Sequence, residues 1–547
     1  MCRGRARRDT AVEAMPNGAL VNLDDLPSRI WQRDVSSWAP VSDAAARSIA
    51  TRLGWLDAPE TMQAHVERLN ALAAQARREG IRDVYLVGMG GSSLCAEVLE
   101  ASHREAHPDA FPRLNVLDTT DEQALRSVAA RLDPDRSWFL VSSKSGGTVE
   151  VVSMERYFWA VMRERLGASA GRHFLAITDP GTALESLARE RGYRETFSNP
   201  ADIGGRFSAL SLFGLVPAAI LGMDTEHLLR TASEMAAGCH ERGAKNAGLA
   251  LGAFMARECR RGRDKLTVLL PPSLRALGLW IEQLVAESTG KHGTGLLPIV
   301  DEAPQRAAVY GNDRAFVSLE PEREELDADF EALEAAGHPV LRLTMRSDAL
   351  GAEFFRWEFA TAVAGAALGI NPFDEPNVQE AKDRTKALLA QVARGGALAD
   401  TPPGEADGVA ALRAILDSLG PPQYLAVLLY LPAESDTLAA IDAFRDAVRD
   451  RTAVATTIGV GPRYLHSTGQ YHKGGPDTGA FLVITGEDET ATPVPDTPYT
   501  FSTLKRAQAV GDLQALQAHG RRVARVHLTK TTGRGNALRH ILSSALR

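Results

Sequence analysis

Short apolar runs alternate with longer helical patterns through the first half of the chain. A strand followed by a helix, repeated in this order, predicts a parallel sheet covered by helices. Ligands of such sheets bind at the carboxyl ends of the strands, so the turns after the strands are the first places to look for chemistry. The strand-like runs lie at residues 84–87, 114–117, 138–141 and 174–178.

The same alternation returns in the second half, which predicts a second sheet of the same type. An apolar helix at 354–368 and a helix at 378–390 separate its strands, and a stretch at 393–407 is rich in Gly, Pro and Ala. That stretch is the best candidate for a mobile linker or for a loop that extends from the regular fold. The two sheets look like diverged copies of one architecture. The strand-like runs of this half are 267–270, 316–319, 340–345, 424–430, 455–459 and 480–484.

These patterns divide the chain into five predicted parts. We expect the arginine-rich N-terminal leader to be disordered, because no apolar core follows it as a secretory signal would need. A tryptophan-rich helical segment comes next, and two α/β domains follow. The parts are the leader at 1–29, the helical segment at 30–80, the first α/β domain at 81–235, the second at 236–500 and a C-terminal helical segment at 501–547.

Bulk composition narrows the class of protein. A length of 547 residues with 44% hydrophobic content favours about three domain-sized units or two large ones. The formal charge of −8 has its signs interspersed along the chain, which gives no nucleic-acid footprint. The apolar run at 209–223 is interrupted by Ser211, Gly214 and Pro217, so it predicts a buried helix and not a membrane span.

Two strands of the first sheet end in turns that suit an anion. Residues 88–93 read Gly-Met-Gly-Gly-Ser-Ser, residues 142–148 read Ser-Ser-Lys-Ser-Gly-Gly-Thr, and a helix follows each. Free N–H groups and the positive end of a helix dipole at such turns favour a phosphate. A single serine-rich turn is more often an N-cap, but two turns on one sheet edge favour a shared phosphate site.

Two further stretches carry candidate chemistry. Arg206 stands between glycines and an apolar helix, where it either holds an anion or is a structural arginine bound to carbonyls. In residues 280–298, Gln283 and Glu287 project from one face of a helix towards a glycine-rich turn. Glu287 is either a base at the rim of a pocket or a solvated surface partner of Lys291.

A late glycine-rich loop adds two histidines. Residues 465–476 read Leu-His-Ser-Thr-Gly-Gln-Tyr-His-Lys-Gly-Gly-Pro. His466 and His472 compete there as candidates for acid or base catalysis.

Together these motifs resemble the glucose-6-phosphate isomerase family. More narrowly, residues 30–528 are similar to the isomerase half of bifunctional transaldolase/glucose-6-phosphate isomerase proteins. We expect the transaldolase half to be absent. Its (β/α)₈ barrel needs about 250 residues, whereas only residues 1–29 precede the similar span. The resemblance implies an α/β fold of two sugar-isomerase (SIS) domains with helical segments at both ends. The residues that carry it are 88–94, 143–148, 204–208, 283–291, 371–376 with Lys382, and 466–470.

The resemblance implies reversible isomerisation between glucose 6-phosphate and fructose 6-phosphate. It implies that Glu287 moves a proton between C2 and C1, that Arg206 lies near the developing enediolate, and that Lys382 acts beside His466 in ring opening. One carboxylate suffices for such proton transfer, so no metal and no other cofactor is expected. The further substrate- and phosphate-binding positions that it implies are Gly91, Ser92, Ser143, Lys144, Ser145, Thr148, Gln283 and Glu375.

Two features depart from the family's pattern. In most members the catalytic His follows the Glu by a few tens of residues and precedes the Lys, whereas here His466 comes after Lys382. Since a catalytic group is recognised by geometry, His292 or His472 must serve if the fold does not bring His466 to the site. Glu375 also stands where many relatives carry Gln, which adds a carboxylate near the site.

Two alternative functions stay open. A sugar-phosphate-binding regulator could share the fold but would need the phosphate loops without the base. A dual enzyme would also isomerise mannose 6-phosphate.

The expected partner is a small sugar phosphate, with no nucleic acid and no membrane. The resemblance also leaves open a homodimer, because family members commonly complete their sites across subunits, and a separate transaldolase. The cysteines have neither paired nor metal-ligand spacing, which predicts a cytoplasmic location. They are Cys2, Cys95, Cys239 and Cys259.

Overall fold

The computed structural model describes residues 12–14, 20–38, 42–322, 324, 326–398 and 400–547. Over these ranges, three parallel sheets with helices on their faces form the framework, which confirms the predicted α/β class. The strands are β1 (Val12–Ala14), β2 (Leu20–Asn22), β3 (Asp83–Val87), β4 (Arg113–Leu117), β5 (Ser137–Ser142), β6 (Phe174–Thr178), β7 (Glu195–Ser198), β8 (Lys265–Leu269), β9 (Leu297–Ile299), β10 (Arg314–Pro321), β11 (Val340–Met345), β12 (Tyr424–Leu429), β13 (Ala455–Val460), β14 (Gly479–Gly486) and β15 (Arg522–Leu528).

Helices cover the sheets and fill the spaces between them. The helices are α1 (Leu26–Trp31), α2 (Asp43–Ala50), α3 (Ala58–Thr61), α4 (Val66–Arg78), α5 (Leu94–Ala106), α6 (Glu122–Arg131), α7 (Val149–Leu166), α8 (Ala183–Glu190), α9 (Leu212–Leu221), α10 (Thr225–Gly238), α11 (Ala247–Arg260), α12 (Arg275–Thr289), α13 (Phe330–Ala335), α14 (Leu350–Leu368), α15 (Val378–Ala393), α16 (Glu405–Leu416), α17 (Ser435–Thr452), α18 (Gly469–Gly474), α19 (Phe501–Ala518) and α20 (Arg534–Leu546).

The first sheet has the strand order β4-β3-β5-β6-β7, and all its strands are parallel. Every residue of β5 and β6 is buried, which explains why these strands appear in the sequence as continuous apolar runs. Since β3 and β5 are neighbours, the turns that follow them lie side by side at one edge. This edge is the one that the sequence predicts for the ligand.

The strands predicted to form a single second sheet form two sheets. Their orders are β11-β10-β8-β9 and β13-β12-β14-β15. β9 lies against β13, and Leu297 and Ile299 of β9 share an apolar core with the third sheet. Pro298 at the centre of β9 has no N–H to donate, and a proline inside a strand favours an edge position. β9 is therefore the edge strand at which the second sheet ends, and the third sheet is separate from it.

Parts of the predicted five-part division lie outside the described residues, and the division stays a prediction. Residues 1–11 and 15–19 of the expected leader are not described, whereas β1 and β2 pair with each other within it. In the C-terminal part predicted to be helical, β15 lies between α19 and α20.

One apolar core joins the first and second sheets through α9, α12 and α14. All residues of α14 are buried, and so are all ten residues of α9, which is the apolar run noted in the sequence. In the described part of the chain, no helix has both the length and the apolar composition needed to cross a membrane. Cys95, Cys239 and Cys259 are free thiols.

Candidate active site

The turns after β3 and β5 meet at the carboxyl edge of the first sheet. The Ser142 hydroxyl donates a 2.7 Å hydrogen bond to the carbonyl oxygen of Ser92, which ties the two turns together. The hydroxyl oxygens of Ser143 and Thr148 lie 3.4 Å apart. Because α7 begins directly after Thr148, its free N–H groups and the positive end of its dipole face the same space. The two turns therefore lie side by side at this edge, and their use as one anion site stays a prediction.

Glycine is required in the first turn because atoms of other segments lie very close to its backbone. Gly90 has a φ of +54°, and a Cβ atom there would lie 2.7 Å from Nε2 of Gln283. A Cβ atom on Gly91 would lie 2.0 Å from the carbonyl oxygen of Gly205. The predicted site residue Gly91 thus brings the phosphate turn against the segment that carries Arg206.

Lys144 is the cation of the second turn. Its ammonium forms an ion pair with Asp179 and donates to the carbonyl oxygen of Ala201 at 3.2 Å. Burial raises the pKa of Asp179, and the charge of Lys144 opposes this effect. Lys144 is half-buried and Ser145 is exposed. The phosphate side of the site is therefore open to solvent.

Arg206 is held by four hydrogen bonds. Nε donates to the hydroxyl of Ser288 at 2.8 Å, and Nη2 donates to the carbonyl oxygens of Pro372 at 2.7 Å and Asp374 at 2.8 Å. Nη1 donates to Oε2 of Glu375 at 3.0 Å. A guanidinium has five N–H groups, so one N–H of Nη1 remains. Arg206 is thus both a structural arginine bound to carbonyls and a fixed cation with one free donor.

The remaining N–H of Arg206 lies on the side of Glu287. Oε1 of Glu287 is 3.5 Å from Nη1 of Arg206, and Oε2 accepts a 3.0 Å hydrogen bond from Gln283, one turn earlier on α12. Burial raises the pKa of Glu287, the Arg206 charge opposes this, and the Glu375 carboxylate raises it further. Burial also raises the pKa of Glu375, but Arg206, Arg52 and Lys291 together hold this pKa below its usual value. Glu287 is the more basic carboxylate of the pair.

Lys291 ties the turn after α12 to the loop that holds Arg206. Its ammonium donates to the carbonyl oxygen of Asn371 at 2.8 Å and to Oδ1 of Asp374 at 2.7 Å. Burial lowers the pKa of Lys291 to about 8. Lys291 is fully buried, so Glu287 is not a solvated surface partner of this lysine.

His466 lies at the same site although it is distant in sequence. Its Nε2 is 3.1 Å from Oε1 of Glu150, which also accepts a 2.7 Å hydrogen bond from Gln508 on α19. Thr120 donates to Oε1 of Gln508 at 2.9 Å and fixes the orientation of that amide. Burial raises the pKa of Glu150, but His466 outweighs burial and holds it below its usual value.

Glu150 is a site residue that the sequence reasoning missed. It lies in the first turn of α7, two residues after Thr148. A carboxylate in a first turn is normally explained by the helix dipole. Its close spacing from the phosphate turn is the signal that could have identified it.

A cavity of about 520 Å³ connects the phosphate turn with His466. Thr148, Glu150, Lys382 and His466 line it, and Lys382 is exposed at its wall. Gln283 joins this region to Glu287, because its Nε2 also donates to the carbonyl oxygen of His466 at 2.7 Å. The structure therefore brings Lys382 and His466 to the predicted site despite their altered chain order.

The two alternative histidines do not line this cavity. His292 is exposed in the turn after α12. His472 is buried, its Nδ1 lies 3.0 Å from the hydroxyl of Tyr424, and burial lowers its pKa well below its usual value. His472 is therefore a neutral core residue.

Gln470 is a second residue whose position the sequence did not reveal. Its Nε2 donates to the carbonyl oxygen of Gly290 at 2.9 Å and to Oδ1 of Asn377 at 2.8 Å, and its Oε1 accepts from the backbone N–H of Asn377 at 2.8 Å. One amide thus connects the turn after Glu287, the start of the helix that carries Lys382 and the loop of His466.

Comparison with known proteins identifies relatives of this chain. The phosphoglucose isomerase family profile matches residues 55–310. A glucose-6-phosphate isomerase of Rubrobacter xylanophilus is 30% identical over 425 residues, covering 68% of this chain and 97% of that protein. A glucose-6-phosphate isomerase of Thermus thermophilus is 28% identical over 407 residues, covering 64% of this chain and 94% of that protein.

Solved structures show the same fold. A hypothetical protein from Thermus thermophilus aligns with a TM-score of 0.59 at 23% identity, covering 67% of this chain and 94% of that one. A glucose-6-phosphate isomerase from Chlamydia trachomatis aligns with a TM-score of 0.52 at 19% identity, covering 74% of this chain and 84% of that one.

The phosphate turns, Arg206 and Glu287 fall inside the matched span of 55–310, whereas Lys382 and His466 fall outside it. The Rubrobacter relative is matched over nearly its whole length at 30% identity. On this evidence, the chain belongs to the phosphoglucose isomerase family.

Proposed function

We propose that this chain interconverts glucose 6-phosphate and fructose 6-phosphate through an enediolate. One observation carries the proposal: a buried glutamate, Glu287, faces the last free N–H of a fixed arginine at the edge where two phosphate-type turns meet. The names of the curated relatives, which are glucose-6-phosphate isomerases, support this activity.

The two turns of the first sheet bind the substrate phosphate. Hydroxyls of Ser143 and Thr148, together with the N-terminus of α7, supply donors, and Lys144 supplies positive charge. Because the phosphate is remote from the reacting carbons, its binding energy orients the sugar against the base.

Ring opening is assigned to His466 with Lys382 across the cavity. Opening delivers one proton to the ring oxygen and removes one from the C1 hydroxyl. The imidazolium of His466 donates the first proton. The Glu150 carboxylate beside it stabilises the positive charge of this imidazolium before the transfer. The second proton passes from the C1 hydroxyl to water, and Lys382, which lines the same cavity, stabilises the negative charge that develops on the oxygen.

Glu287 then carries out the isomerisation of the open-chain sugar. Its carboxylate removes the proton from C2, the released electron pair forms the C1–C2 double bond, and the carbonyl oxygen on C1 becomes the enediolate oxygen. The free N–H of Arg206 stabilises this charge, which is absent from the ground state. Glu287 returns the proton to C1, the hydroxyl on C2 gives up its proton to the oxygen on C1, and C2 becomes the ketose carbonyl.

A non-catalytic sugar-phosphate sensor is the weaker alternative. Such a protein would need the phosphate turns, but it would leave the buried Glu287, the fixed Arg206 and the paired His466 without a role. These groups match the needs of proton transfer, so the enzyme is the favoured function.

The test is a direct assay in deuterium oxide. Purified protein mixed with fructose 6-phosphate is expected to form glucose 6-phosphate, with deuterium entering C2 of the product because the proton on Glu287 exchanges with solvent. Nuclear magnetic resonance identifies the product and the labelled carbon. Mannose 6-phosphate assayed in parallel decides whether the site also accepts the C2 epimer. A folded protein that converts none of these sugars contradicts the proposal.

We also propose that this member of the family resembles the isomerase half of bifunctional transaldolase/glucose-6-phosphate isomerase proteins. The motifs that carry the resemblance over residues 30–528 support this. A sequence comparison restricted to residues 311–547 is the test, because stand-alone isomerases scoring higher than isomerase halves there would contradict it. A homodimer, a separate transaldolase partner and a cytoplasmic location stay predictions.

A further inference from the structure

Arg52 is a cation of the N-terminal helical segment that lies beside the site. It follows the end of α2, and the next residue, Leu53, forms an antiparallel bridge with Ile203. Gly54 extends this pairing by donating its N–H to the carbonyl oxygen of Asp202 at 2.9 Å. As a result, Nη1 of Arg52 lies 4.0 Å from the point where a Cβ atom of Gly204 would stand.

The segment that Arg52 contacts also holds the other cations of the site. The carbonyl oxygen of Ala201 accepts the hydrogen bond from Lys144, and Arg206 follows Gly204 by two residues. Gly205 packs its carbonyl against the phosphate turn at Gly91. Arg52 therefore lies over the strip of chain that joins the phosphate turns to the proton-transfer residues.

Arg52 differs from these cations because its donors are not used. Among the described residues, no hydrogen bond or ion pair involves its guanidinium, and the side chain is half-exposed. Arg206 is fixed by four hydrogen bonds, and Lys144 is paired with Asp179. The charge of Arg52 acts on two nearby carboxylates. It opposes the effect of burial, which raises the pKa of Asp179, and it contributes to the lowered pKa of Glu375. An unpaired guanidinium at this place is available to an anion.

We propose that Arg52 is a further substrate-binding residue, which contacts the phosphate of the sugar phosphate. The inference rests on the proposed function for the identity of the substrate. A guanidinium matches the geometry of a phosphate with two parallel N–H donors, and Lys144 offers only a point charge. Since the phosphate does not change during isomerisation, Arg52 binds the substrate and the transition state equally and acts on KM.

The experiment compares Arg52→Ala with Arg47→Ala. Arg47 is an exposed arginine of α2, the helix that precedes Arg52, so its removal changes the net charge equally away from the site. For Arg52→Ala we expect KM for both sugar phosphates to rise about tenfold and kcat to stay within about threefold. Arg47→Ala is expected to match the unmodified protein, and Arg52→Lys is expected to recover part of the loss.

Titration calorimetry with inorganic phosphate gives a second measurement that is independent of turnover. Its Kd is expected to rise about tenfold in Arg52→Ala and to stay unchanged in Arg47→Ala. If the protein turns over neither sugar phosphate, the proposed function fails, but this titration still decides the role of Arg52.

Two outcomes overturn the inference. One is an unchanged KM and an unchanged Kd for phosphate in Arg52→Ala. The other is a loss of kcat at constant KM, which would place the effect of Arg52 on the chemical step. If Arg52→Ala lowers the melting temperature, Arg52→Gln, which keeps most of the side-chain length, replaces it in both measurements.

Discussion

The two ends of the site differ in their contact with water. At the phosphate end the Lys144 side chain is 20% exposed and Ser145 is open to solvent. At the proton-transfer end the side chains of Arg206 and Glu287 are 5% and 9% exposed. A phosphate dianion can be bound by charges that remain hydrated. Removal of a proton from carbon needs a base and a cation whose charges are not screened by water. In the proposed mechanism, phosphate binding and proton transfer thus take place at different ends of the site.

The two ends also differ in how the chain builds them. The phosphate end comes from two turns of one sheet, each contiguous in sequence. The proton-transfer end combines α12, the segment before α9 and the loop at Pro372–Asp374 through the hydrogen bonds of Arg206. Substitutions at the first end should therefore change binding, and those at the second should change turnover.

The largest effect is expected at the buried end, from Glu287→Gln. The amide cannot accept the C2 proton, so kcat should fall by at least ~10² while the Kd for inorganic phosphate stays unchanged. Steady-state kinetics and titration calorimetry measure the two quantities.

The matched control for that variant is Glu282→Gln on the same helix. Burial raises the pKa of Glu282 to about 8, so this side chain is largely neutral at pH 7 and an amide resembles it. Its kcat should stay within about twofold. Nearly unmodified turnover in Glu287→Gln would remove the base from the mechanism.

The second largest effect is expected for His466→Ala. Loss of the proton donor should slow turnover of glucose 6-phosphate by about 10- to 10²-fold. A tetrose 4-phosphate, whose phosphate blocks the oxygen that would close a ring, should be affected much less. Equal losses on both substrates would contradict the ring-opening role. Exposed His292 provides the control, and His292→Ala should leave both rates unchanged.

A smaller effect, confined to binding, is expected for Thr148→Val at the open end. Removal of one donor to the phosphate should raise KM about three- to tenfold and leave kcat within about twofold. Kinetics with both sugar phosphates measure the change. A fall in kcat that exceeds the rise in KM would break the division between the two ends.

The smallest effect at neutral pH, but an informative one, is expected for Glu375→Gln. Glu287 must be ionised to act, and the Glu375 carboxylate raises the pKa of Glu287. Removing that charge lowers this pKa, so the acidic limb of the kcat/KM profile should move to lower pH. At alkaline pH the rate should stay within about threefold. A limb that stays in place, or moves to higher pH, would show that Glu375 does not control the base.

Contiguous features of the site could be predicted from the sequence. The turns at 88–93 and 142–148 each carry strand, glycine, hydroxyl and helix signals within a few residues, and the structure places them as expected. Gln283 and Glu287 follow from helical spacing alone. The sequence places Glu150 close to the 142–148 turn, but it does not show the pairing with His466, which comes from a distant segment that follows β13.

Besides β1 and β2 of the leader, the strands that sequence reasoning missed share one property. β7, β9 and β15 all lie at sheet edges, where one side of the strand has no neighbour within its sheet. β15 interrupts its apolar residues with Arg522, Arg525 and His527 and does not form an apolar run. In β7 and β15, partial exposure thus removes the signal that identifies central strands such as β5. β9 is buried, but it has only three residues and a proline at its centre.

The pairing of His466 with Glu150 has a consequence for how the protein matures on the ribosome. Its partners are separated by 316 residues, and the amide of Gln508 that supports Glu150 comes 358 residues after it. Contacts of such separation form late, because the closure of long loops precedes any gain from them. A nascent chain that has released the first sheet already carries both phosphate turns, but it cannot pair Glu150 with His466 until the segment after β13 has been made. Affinity for the anion should therefore appear before activity during synthesis.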